Sequence, residues 1–412
     1  MAASTSPTWL PDIVPPGAKR LVPRVPCQDP APPRSGNAIL WGPAAARAIA
    51  SSSFQNAGYW RGILQIGPEN IAENLRTRAG IVMCDGAFWP LTRDDGYIGN
   101  SYPCSLYTQY VRYPRAELSL VPSGIPRTAA KAGLGFLAAL LRMADVDRAV
   151  QWSSWLLSTN LHQDGLPQAV DSITRTLVRE YPNHAVLIKN VHTFGDRSAA
   201  DALLRAGYDL VTSRIVYFFD GRNPEYLSKE TVRRDIRATS KSSAYQVVEH
   251  DEFTAADVPR IASLYRQLYI QKHSDLNPRY SEPFVANALR ERWLEFRGLR
   301  HRSGELHGVY ATFSRPGIIT APFVGYDISI PAEVGLYRHL VALLLLRVAN
   351  QGCVLNYSSG AGEFKRRRGG QAMVEFNALY TRHLPPSRRT AFAFLRHAAN
   401  RYGRPFLERQ GI

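Results

Sequence analysis

The sequence predicts an α/β protein built from two halves with a similar order of helices and strands. From about residue 39 to 220, strand-like apolar runs alternate with helix-like runs, which favours at least one parallel pair of strands. A similar order of elements returns in the second half. Because 412 residues suffice for two ordinary domains, we expect an internal duplication, although residue identity between the halves is not evident.

Five strands and three helices are predicted in the first half. Runs rich in β-branched and aromatic residues predict the strands, and apolar residues at helical spacing predict the helices. Pro167 in the first turn of one helix and Gly207 after another are typical of helix starts and ends. In chain order the elements are strands 80–89 and 117–121, helix 128–144, strand 149–157, helix 167–181, strand 185–191, helix 198–206 and strand 212–220.

The second half begins with two predicted helices and continues with three strands. A long apolar helix follows, and Gly352 is placed to end it. The last elements are a strand, a loop of small residues, another strand and a final helix. In chain order the elements are helices 255–271 and 282–296, strands 299–301, 305–313 and 318–326, helix 336–351, strands 354–357 and 373–380, and helix 388–402.

Composition shifts predict four regions. Residues 1–38 carry nine prolines and little periodicity, which predicts a flexible arm. Residues 39–221 form the first α/β domain. Residues 222–245 are polar, with Arg233, Arg234 and Arg237 on a helical pattern, and we interpret them as a basic helical linker. Residues 246–412 form the second domain.

The composition is that of a basic globular protein. The chain is 45% hydrophobic and has a net charge of +16, which favours polyanionic partners, although an arginine-rich proteome explains the charge equally well. Four scattered cysteines and ten histidines lack the spacing of a disulfide framework or metal site, so no metal is expected. The longest apolar runs, 134–141 and 340–346, are too short to span a bilayer. A soluble cytoplasmic protein is expected.

The segment 353–385 is the first place to look for a functional site. A short strand ends at Asn356 and Tyr357, the chain breaks into the small residues 358–362, and a cationic run, 365–368, follows. A strand that opens into such a loop exposes backbone N–H groups that suit phosphate or another anion. From residue 360 to 412 there are eleven lysines and arginines against three acidic residues, a local excess of +8 that suits a phosphate-bearing donor.

The order of elements resembles the GNAT acyltransferase fold. In the first half the resemblance rests on strand 185–191, the helix SAADALLRAGYD with its Gly207–Tyr208 step, and strand 212–220. The second half resembles the GNAT-like domain shared with the Fem aminoacyltransferases. There it rests on VRRDIRATSK, GYD at 325–327, GLYRHL at 335–340 and GAGEFKRRRGG at 360–370. The likeness covers roughly residues 50–410.

The resemblance implies tandem GNAT-like (Fem-type) domains, each a twisted mixed sheet flanked by helices. It also implies N-acyl transfer to a small-molecule amine, with acyl-CoA or another acyl thioester as co-substrate and no permanently bound cofactor. The glycine-rich pyrophosphate loop of coenzyme A users is only approximated, by HQDGLPQA and SIPAEVGLYR. The donor therefore remains open among coenzyme A, an acyl carrier protein and tRNA.

Four residues are candidates for chemistry, on the expectation that strands 318–326 and 354–357 form the splayed pair of a GNAT fold. Asp327 could hold or deprotonate the amine, or it could cap a turn. Tyr326 and Tyr357 could hydrogen-bond the leaving group, or they could be rim residues. Glu375 lies within a strand, so it is either a base or paired in the core.

The predicted donor-binding residues lie at the start of helix 336–351 and in the small-residue loop. Lys365 is the strongest of them because a flexible ammonium beside such a loop suits a phosphate. The neighbouring run 366–368 could instead be a solvated face. The full set is Gly335, Leu336, Tyr337, Arg338, Ser358, Ser359, Gly360, Gly362, Lys365 and Arg368.

Three functions are compatible with these features. The first is an N-acyltransferase that uses a thioester donor and direct attack by the amine. The second is an aminoacyl-tRNA-dependent, Fem-like former of peptide bonds. The third is a non-catalytic GNAT-like protein that binds nucleic acid or a partner through its basic second half. The acceptor and the oligomeric state remain open.

Overall fold

The computed structural model of the chain describes residues 37–50, 52, 56–97 and 99–411. The predicted proline-rich arm, residues 1–38, lies outside the described residues except at its end, where Ala38 begins the first strand. Twelve strands, β1 to β12, follow in chain order: Ala38–Trp41, Arg78–Cys84, Ala87–Asp95, Arg148–Trp152, Ala185–Val191, Asp209–Asp220, Tyr245–Val248, Glu295–His301, Leu306–Arg315, Ile318–Tyr326, Val354–Asn356 and Gln371–Tyr380.

Helices flank the strands throughout the described chain. The α-helices, α1 to α13, are Gly42–Ala48, Ala57–Ile66, Tyr113–Ala116, Ile125–Met143, Leu166–Glu180, Ser198–Arg205, Glu230–Lys241, Val258–Tyr265, Glu282–Arg290, Leu336–Gln351, Gly362–Arg367, Pro386–Ala398 and Arg404–Gln410. Wider π-helical turns occur at Thr108–Arg112, Arg266–His273 and Ala399–Gly403. Short 3₁₀ turns lie at Pro68–Asn70, Leu118–Leu120, Glu225–Ser228, His250–Glu252, Ala255–Asp257 and Ala332–Val334.

All twelve strands belong to one mixed sheet, in the order β1-β2-β3-β4-β5-β12-β6-β11-β10-β9-β8-β7. The two halves are arranged alike, since β4 pairs in parallel with β5 and β10 pairs in parallel with β11. Each half then receives a strand from the other, because β12 lies beside β5 and β6 lies beside β11. The α/β class is as predicted, but the two expected sheets are joined into one by this exchange.

The hydrophobic core also crosses the division between the halves. One cluster combines Trp60 and Trp155 from the first half with Phe313 and Phe323 from the second, all fully buried. The rings of Trp155 and Phe313 are 5.6 Å apart between centroids. Separate clusters hold α5 and α6 on one side of the first half and α4 and α12 on the other. The halves are therefore packed together by contacts that neither could make alone.

Several predicted elements differ from the structure. The run 80–89 is a hairpin, β2 and β3, because Asp85 and Gly86 adopt positive φ and turn the chain. The run 117–121 is not a strand but a short 3₁₀ turn, Leu118–Leu120. The strand 149–157 stops at Trp152, since Ser153 has a φ of 56°. The cationic run after the small-residue loop belongs to a helix, α11.

A buried ion pair attaches the predicted linker to the second half. The linker contains α7, and Asp235 on α7 accepts hydrogen bonds of 2.8 and 2.5 Å from Nε and Nη2 of Arg368. Both side chains are about 5% exposed, and the guanidinium lies 3.3 Å above the Phe364 ring. Arg368, predicted to bind a donor, is thus enclosed in the structure, and this contact positions the end of α11.

Replacing Asp235 should destabilise the fold more than replacing an exposed acidic residue. Asp235→Ala leaves the Arg368 charge buried without a partner, and we expect it to lower the free energy of unfolding by about 3–5 kcal/mol. Glu408→Ala removes only the exposed pair of Glu408 with Arg404, for which less than about 1 kcal/mol is expected. Urea denaturation of both variants measures the difference, and equal midpoints would contradict the assignment.

Candidate functional site

A cavity of about 630 Å³ lies between the two halves, at the end of the parallel pair β10 and β11. The pair is joined only from Ile318 to Thr320, and β11 then ends while β10 continues with a register shift. The first half contributes the segment around Tyr102–Glu117, and the second contributes the turn around Tyr269–Asn277. The predicted site residues that line the cavity are Tyr326, Tyr337, Tyr357, Ser358, Ser359, Gly360 and Lys365.

The loop after β11 has an unusual backbone. Ser358, Gly360 and Ala361 have φ of 57°, 79° and 48°, values that residues other than glycine rarely adopt. Within the part of the chain that the structure describes, the N–H groups of Ser359, Gly360 and Ala361 have no protein acceptor. These residues line the cavity. Consecutive N–H groups in such a conformation form a concave site for an anion or an oxyanion.

Lys365 holds this loop in place. Its Nζ donates to the carbonyl oxygens of Tyr357, Ser358 and Ser359 at 2.6, 3.2 and 2.8 Å. Because a trans peptide directs its C=O and the next N–H to opposite sides, carbonyls that converge on Lys365 turn the following N–H groups away from it. The N–H of Ser358 is taken by Asn356 Oδ1, whereas those of Ser359 and Gly360 are left for the cavity.

The ammonium of Lys365 is buried and fully engaged. The side chain is 3% exposed, and the rings of Tyr357 and Tyr217 lie 4.5 and 5.6 Å from Nζ. Burial, and to a smaller extent Arg214, lowers the pKa of Lys365 well below its ordinary value. The three carbonyls and two ring faces favour the charged form. Lys365 therefore has no N–H left for a donor phosphate, and the geometry supports a positioning role instead of the direct contact expected.

Arg214 connects the exchanged strands at the cavity wall. Its Nε and Nη2 reach Glu375 at 2.6 and 3.4 Å, and Nη2 also reaches the Ser158 carbonyl at 2.8 Å. Burial would lower the pKa of Arg214, but the Glu375 carboxylate and the Tyr102 phenol together outweigh it and raise that pKa. Glu375 is fully buried and also accepts from Asn190. Of its two predicted roles, the geometry supports the paired core residue.

Phenols dominate the remaining wall of the second half. The Tyr326 hydroxyl accepts a 2.9 Å hydrogen bond from Lys272 Nζ, which also lies 5.3 Å from the ring. Tyr357 interacts with the Tyr337 hydroxyl, and burial raises the pKa of Tyr357 well above its ordinary value. Tyr326 is therefore the accessible phenol with a fixed partner, while Tyr357 is enclosed.

The first half contributes a carboxylate that the sequence reasoning missed. Glu117 lines the cavity, and among the described residues its carboxylate has no hydrogen-bond or ion-pair partner. Burial raises the pKa of Glu117. Tyr102 and Tyr113 stand beside it in the lining, with ring centroids 5.8 Å apart. A half-buried carboxylate next to aromatic faces is suited to bind a cation.

His273 adds a titratable group at the rim of the same cavity. Partial burial, and then the charge of Lys272, lowers the pKa of His273. At neutral pH the imidazole is therefore mostly uncharged and able to accept a proton. In the sequence, only their residue types mark Glu117 and His273 as candidate site residues. Both lie far along the chain from the loop at 358–361.

The other predicted site residues lie away from the cavity lining. Asp327 accepts from Arg260 at 2.6 Å and from the Ser329 hydroxyl and N–H, and these contacts hold its pKa below the ordinary value although burial opposes them. This arrangement matches the turn-capping alternative. A Cβ on Gly362 would lie 2.2 Å from the Gly411 carbonyl, so that glycine permits close packing. Gly335, Leu336 and Arg338 surround the start of α10, where Arg338 donates to the Glu333 carbonyl.

In the first half, the end of the parallel pair β4 and β5 corresponds to the end of β10 and β11, and protein side chains fill it. After β4 the chain buries Trp155, Leu156 and Leu157, each at most 1% exposed. The N–H of Asn160 then donates to Asn190 near the end of β5. The candidate site is accordingly the one beside β10 and β11. In the described ranges, no cluster of three or more His, Cys, Asp or Glu side chains is arranged to hold a metal ion.

No protein-family model matches the sequence, and no curated protein does either. Several solved structures are similar in fold. FemX matches over 85% of this chain and 97% of its own, with 8% identity and a TM-score of 0.47. L-PGS from Bacillus licheniformis matches over 57% of this chain and 80% of its own, with 13% identity and a TM-score of 0.43.

A tandem GNAT protein from the clavulanic acid biosynthesis pathway matches over 83% of this chain and 98% of its own, with 11% identity and a TM-score of 0.37. The α/β fold with its mixed sheet is shown by the chain's own strands and helices, and its elements align with those of FemX and of the tandem GNAT protein over most of the chain. These likenesses concern the arrangement of elements and leave the donor and acceptor open. No helix in the described part of the chain has the length and apolarity needed to cross a membrane.

Removing the Lys365 ammonium should collapse the loop. Lys365→Met keeps most of the side-chain volume but leaves the Tyr357 and Ser359 carbonyls unpaired, while the Ser358 carbonyl keeps the Tyr217 N–H. We expect a loss of about 3 kcal/mol in the free energy of unfolding. Arg367→Met is the matched control, because the Arg367 side chain is exposed and, among the described residues, pairs with Glu363 alone. Chemical denaturation of both variants measures the loss. Equal stabilities would show that the ammonium does not hold the loop.

Proposed function

We propose that this chain is an N-acyltransferase that moves an acyl group from a thioester donor to an amine by direct attack, without a covalent enzyme intermediate. The observation that carries the proposal is the set of free N–H groups of Ser359, Gly360 and Ala361 at the end of the splayed strands. Attack on an acyl carbonyl creates an oxyanion, and preoriented N–H donors stabilise it.

The cavity residues can be assigned to the steps of this reaction. The amine nitrogen attacks the carbonyl carbon, a C–N bond forms, and the carbonyl oxygen becomes an oxyanion held by the loop N–H groups. Collapse of the tetrahedral intermediate breaks the C–S bond and releases the thiol. In this scheme Glu117 binds the incoming ammonium, and His273 accepts one proton from it before the free amine attacks. Tyr326 donates its proton to the leaving sulfur and regains one from the nitrogen, which leaves a neutral amide.

The acyl donor is a co-substrate and not a resident cofactor in this proposal. A thioester of coenzyme A or of an acyl carrier protein fits the local excess of +8 charges between residues 360 and 412. The cavity, about 630 Å³, is of the size that holds a small ligand or the end of a larger one. Its phenol-rich lining suits an acyl group with polar substituents.

A second candidate, in the same fold, is transfer of an aminoacyl group from tRNA. The same excess of cations favours it, because tRNA is a larger polyanion than coenzyme A. The poor match to a glycine-rich pyrophosphate loop in HQDGLPQA and SIPAEVGLYR also favours it over coenzyme A. The loop N–H groups have the same role for both donors, since attack on an ester or on a thioester turns the carbonyl oxygen into an oxyanion.

The donor assay separates these candidates. Purified protein is incubated with radiolabelled acyl-CoA, acyl carrier protein or aminoacyl-tRNA, each with a mixture of primary amines, and we expect amide product from a thioester. Label transferred only from tRNA would replace the first candidate with the second. Absence of transfer from every donor, together with salt-sensitive RNA binding, would support a non-catalytic protein.

Glu117→Gln should weaken binding of the amine and leave the donor unaffected. We expect the KM for the amine to rise about tenfold, because the cavity loses the charge that binds the ammonium. Since burial raises the pKa of Glu117, amine binding to the unmodified protein should fall at a higher pH than an ordinary glutamate would give, and this acid limb should disappear in the variant. Steady-state kinetics against pH measure both effects.

Glu408→Gln is the control for that experiment, since Glu408 is an exposed carboxylate paired with Arg404 outside the cavity lining. An unchanged KM for the amine in Glu117→Gln would remove Glu117 from the acceptor site. A rise in the KM for the donor instead would place Glu117 at the donor end of the cavity.

A further inference from the structure

Helices α4 and α12 form an exposed face that is apolar and basic. On α4, Ile125, Phe136 and Met143 are 85%, 60% and 79% exposed. Ala129 and Ala132 lie between them, and the five residues follow one another at intervals of four, three, four and seven. This spacing puts them on one stripe of the helix. The opposite side carries the buried Leu137, Ala138 and Leu141. The 19-residue helix makes this stripe roughly 28 Å long.

The stripe continues onto α12. The rings of Phe136 and Phe394 meet edge to face at 5.3 Å, and Phe394 is 37% exposed. One turn further along, His397 contacts the ring of Tyr402, which is 67% exposed. Monomeric soluble proteins rarely expose so many large apolar side chains next to one another, so this α4/α12 face is suited to contact another apolar phase.

The two helices carry charges of one sign only. Helix α4 carries Arg127, Lys131 and Arg142, helix α12 carries three arginines, and neither helix contains an acidic residue. Within the described ranges, Lys131, Arg142 and Arg389 form no ion pair with any carboxylate. An apolar stripe flanked by unpaired cations is the pattern of helices that lie in the surface of an anionic bilayer.

We infer that the α4/α12 face docks on an anionic lipid surface, with the two helices lying in its plane. Other occupants fit the charges less well. A symmetric pair of copies would bring Lys131 and Arg142 of both copies against each other. The chain before Asn37 is itself basic, with Lys19, Arg20, Arg24 and Arg34 against Asp12 and Asp29. Exposed aliphatic side chains such as Ile125 and Met143 do not stack on nucleic-acid bases.

The α4/α12 face lies close along the chain to the lining of the cavity. Pro114 and Glu117 line the cavity, Leu120 is 44% exposed three residues later, and α4 begins at Ile125. The cavity wall is therefore connected to the proposed membrane contact by a short segment of chain, residues 118–124. A substrate with an apolar chain and a polar head could remain in the lipid surface while its head enters the cavity. This inference does not depend on the proposed acyl transfer.

The test is sedimentation of the full chain with phosphatidylcholine vesicles that contain or lack phosphatidylglycerol. We expect co-sedimentation with the anionic vesicles only, and less at raised sodium chloride concentration. Phe136→Ser combined with Met143→Ser should lower the partition constant about tenfold or more. Lys131→Glu combined with Arg142→Glu should lower it comparably. All four side chains are exposed or at the helix surface, so circular dichroism should show unchanged folding.

Leu204→Ser is the matched control, because Leu204 is 47% exposed on α6 outside the α4/α12 face, and it should bind vesicles like the unmodified protein. Failure of the protein to sediment with either kind of vesicle would overturn the inference. A loss of vesicle binding in Leu204→Ser as large as in the α4 variants would overturn it as well. Light scattering that shows a dimer abolished by the Phe136 and Met143 substitutions would assign the face to a second copy instead. Binding to immobilised tRNA that is abolished by the Phe136 and Met143 substitutions would assign the α4/α12 face to RNA.

Discussion

The ammonium of Lys365 is the contact on which the candidate site depends. Three carbonyls of the loop after β11 converge on it, and the planar peptide then directs the following N–H groups toward the cavity. The positive φ value of Ser358 is costly alone and persists because this ammonium fixes the peptide planes on both sides of that residue. Without the buried charge, no contact would hold these carbonyls together, and the loop could rearrange so that its N–H groups find acceptors.

The exchange of β6 and β12 brings the rest of the site together. Arg214 on β6 pairs with Glu375 on β12, and the same guanidinium anchors the Ser158 carbonyl from the first half. Because each half completes the other's sheet, the cavity is lined by residues of both halves, among them Glu117 and His273. The site is therefore a property of the joined halves.

Much of the positive charge near the loop is used inside the protein. Lys365 donates to carbonyl oxygens, Arg368 donates to Asp235, and Arg366 donates to the Tyr217 hydroxyl at 2.6 Å. A run of cations in a sequence suggests a surface for polyanions, yet three of these four side chains organise the loop and the helix behind it. The face formed by α4 and α12 differs from this run, because within the described ranges Lys131 and Arg389 have no carboxylate partner.

The sequence by itself determined the α/β class, the repeated order of elements, and the loop at 358–361, since periodicity, β-branched runs and small residues are local properties. It also indicated the splayed strands at 318–326 and 354–357. Tertiary structure alone decided that the two sheets merge, that Lys365 and Arg368 are buried, and that Glu117 and His273 line the same cavity as the loop. Burial and pairing of charges depend on contacts between distant residues, and those contacts leave no periodic trace in the chain.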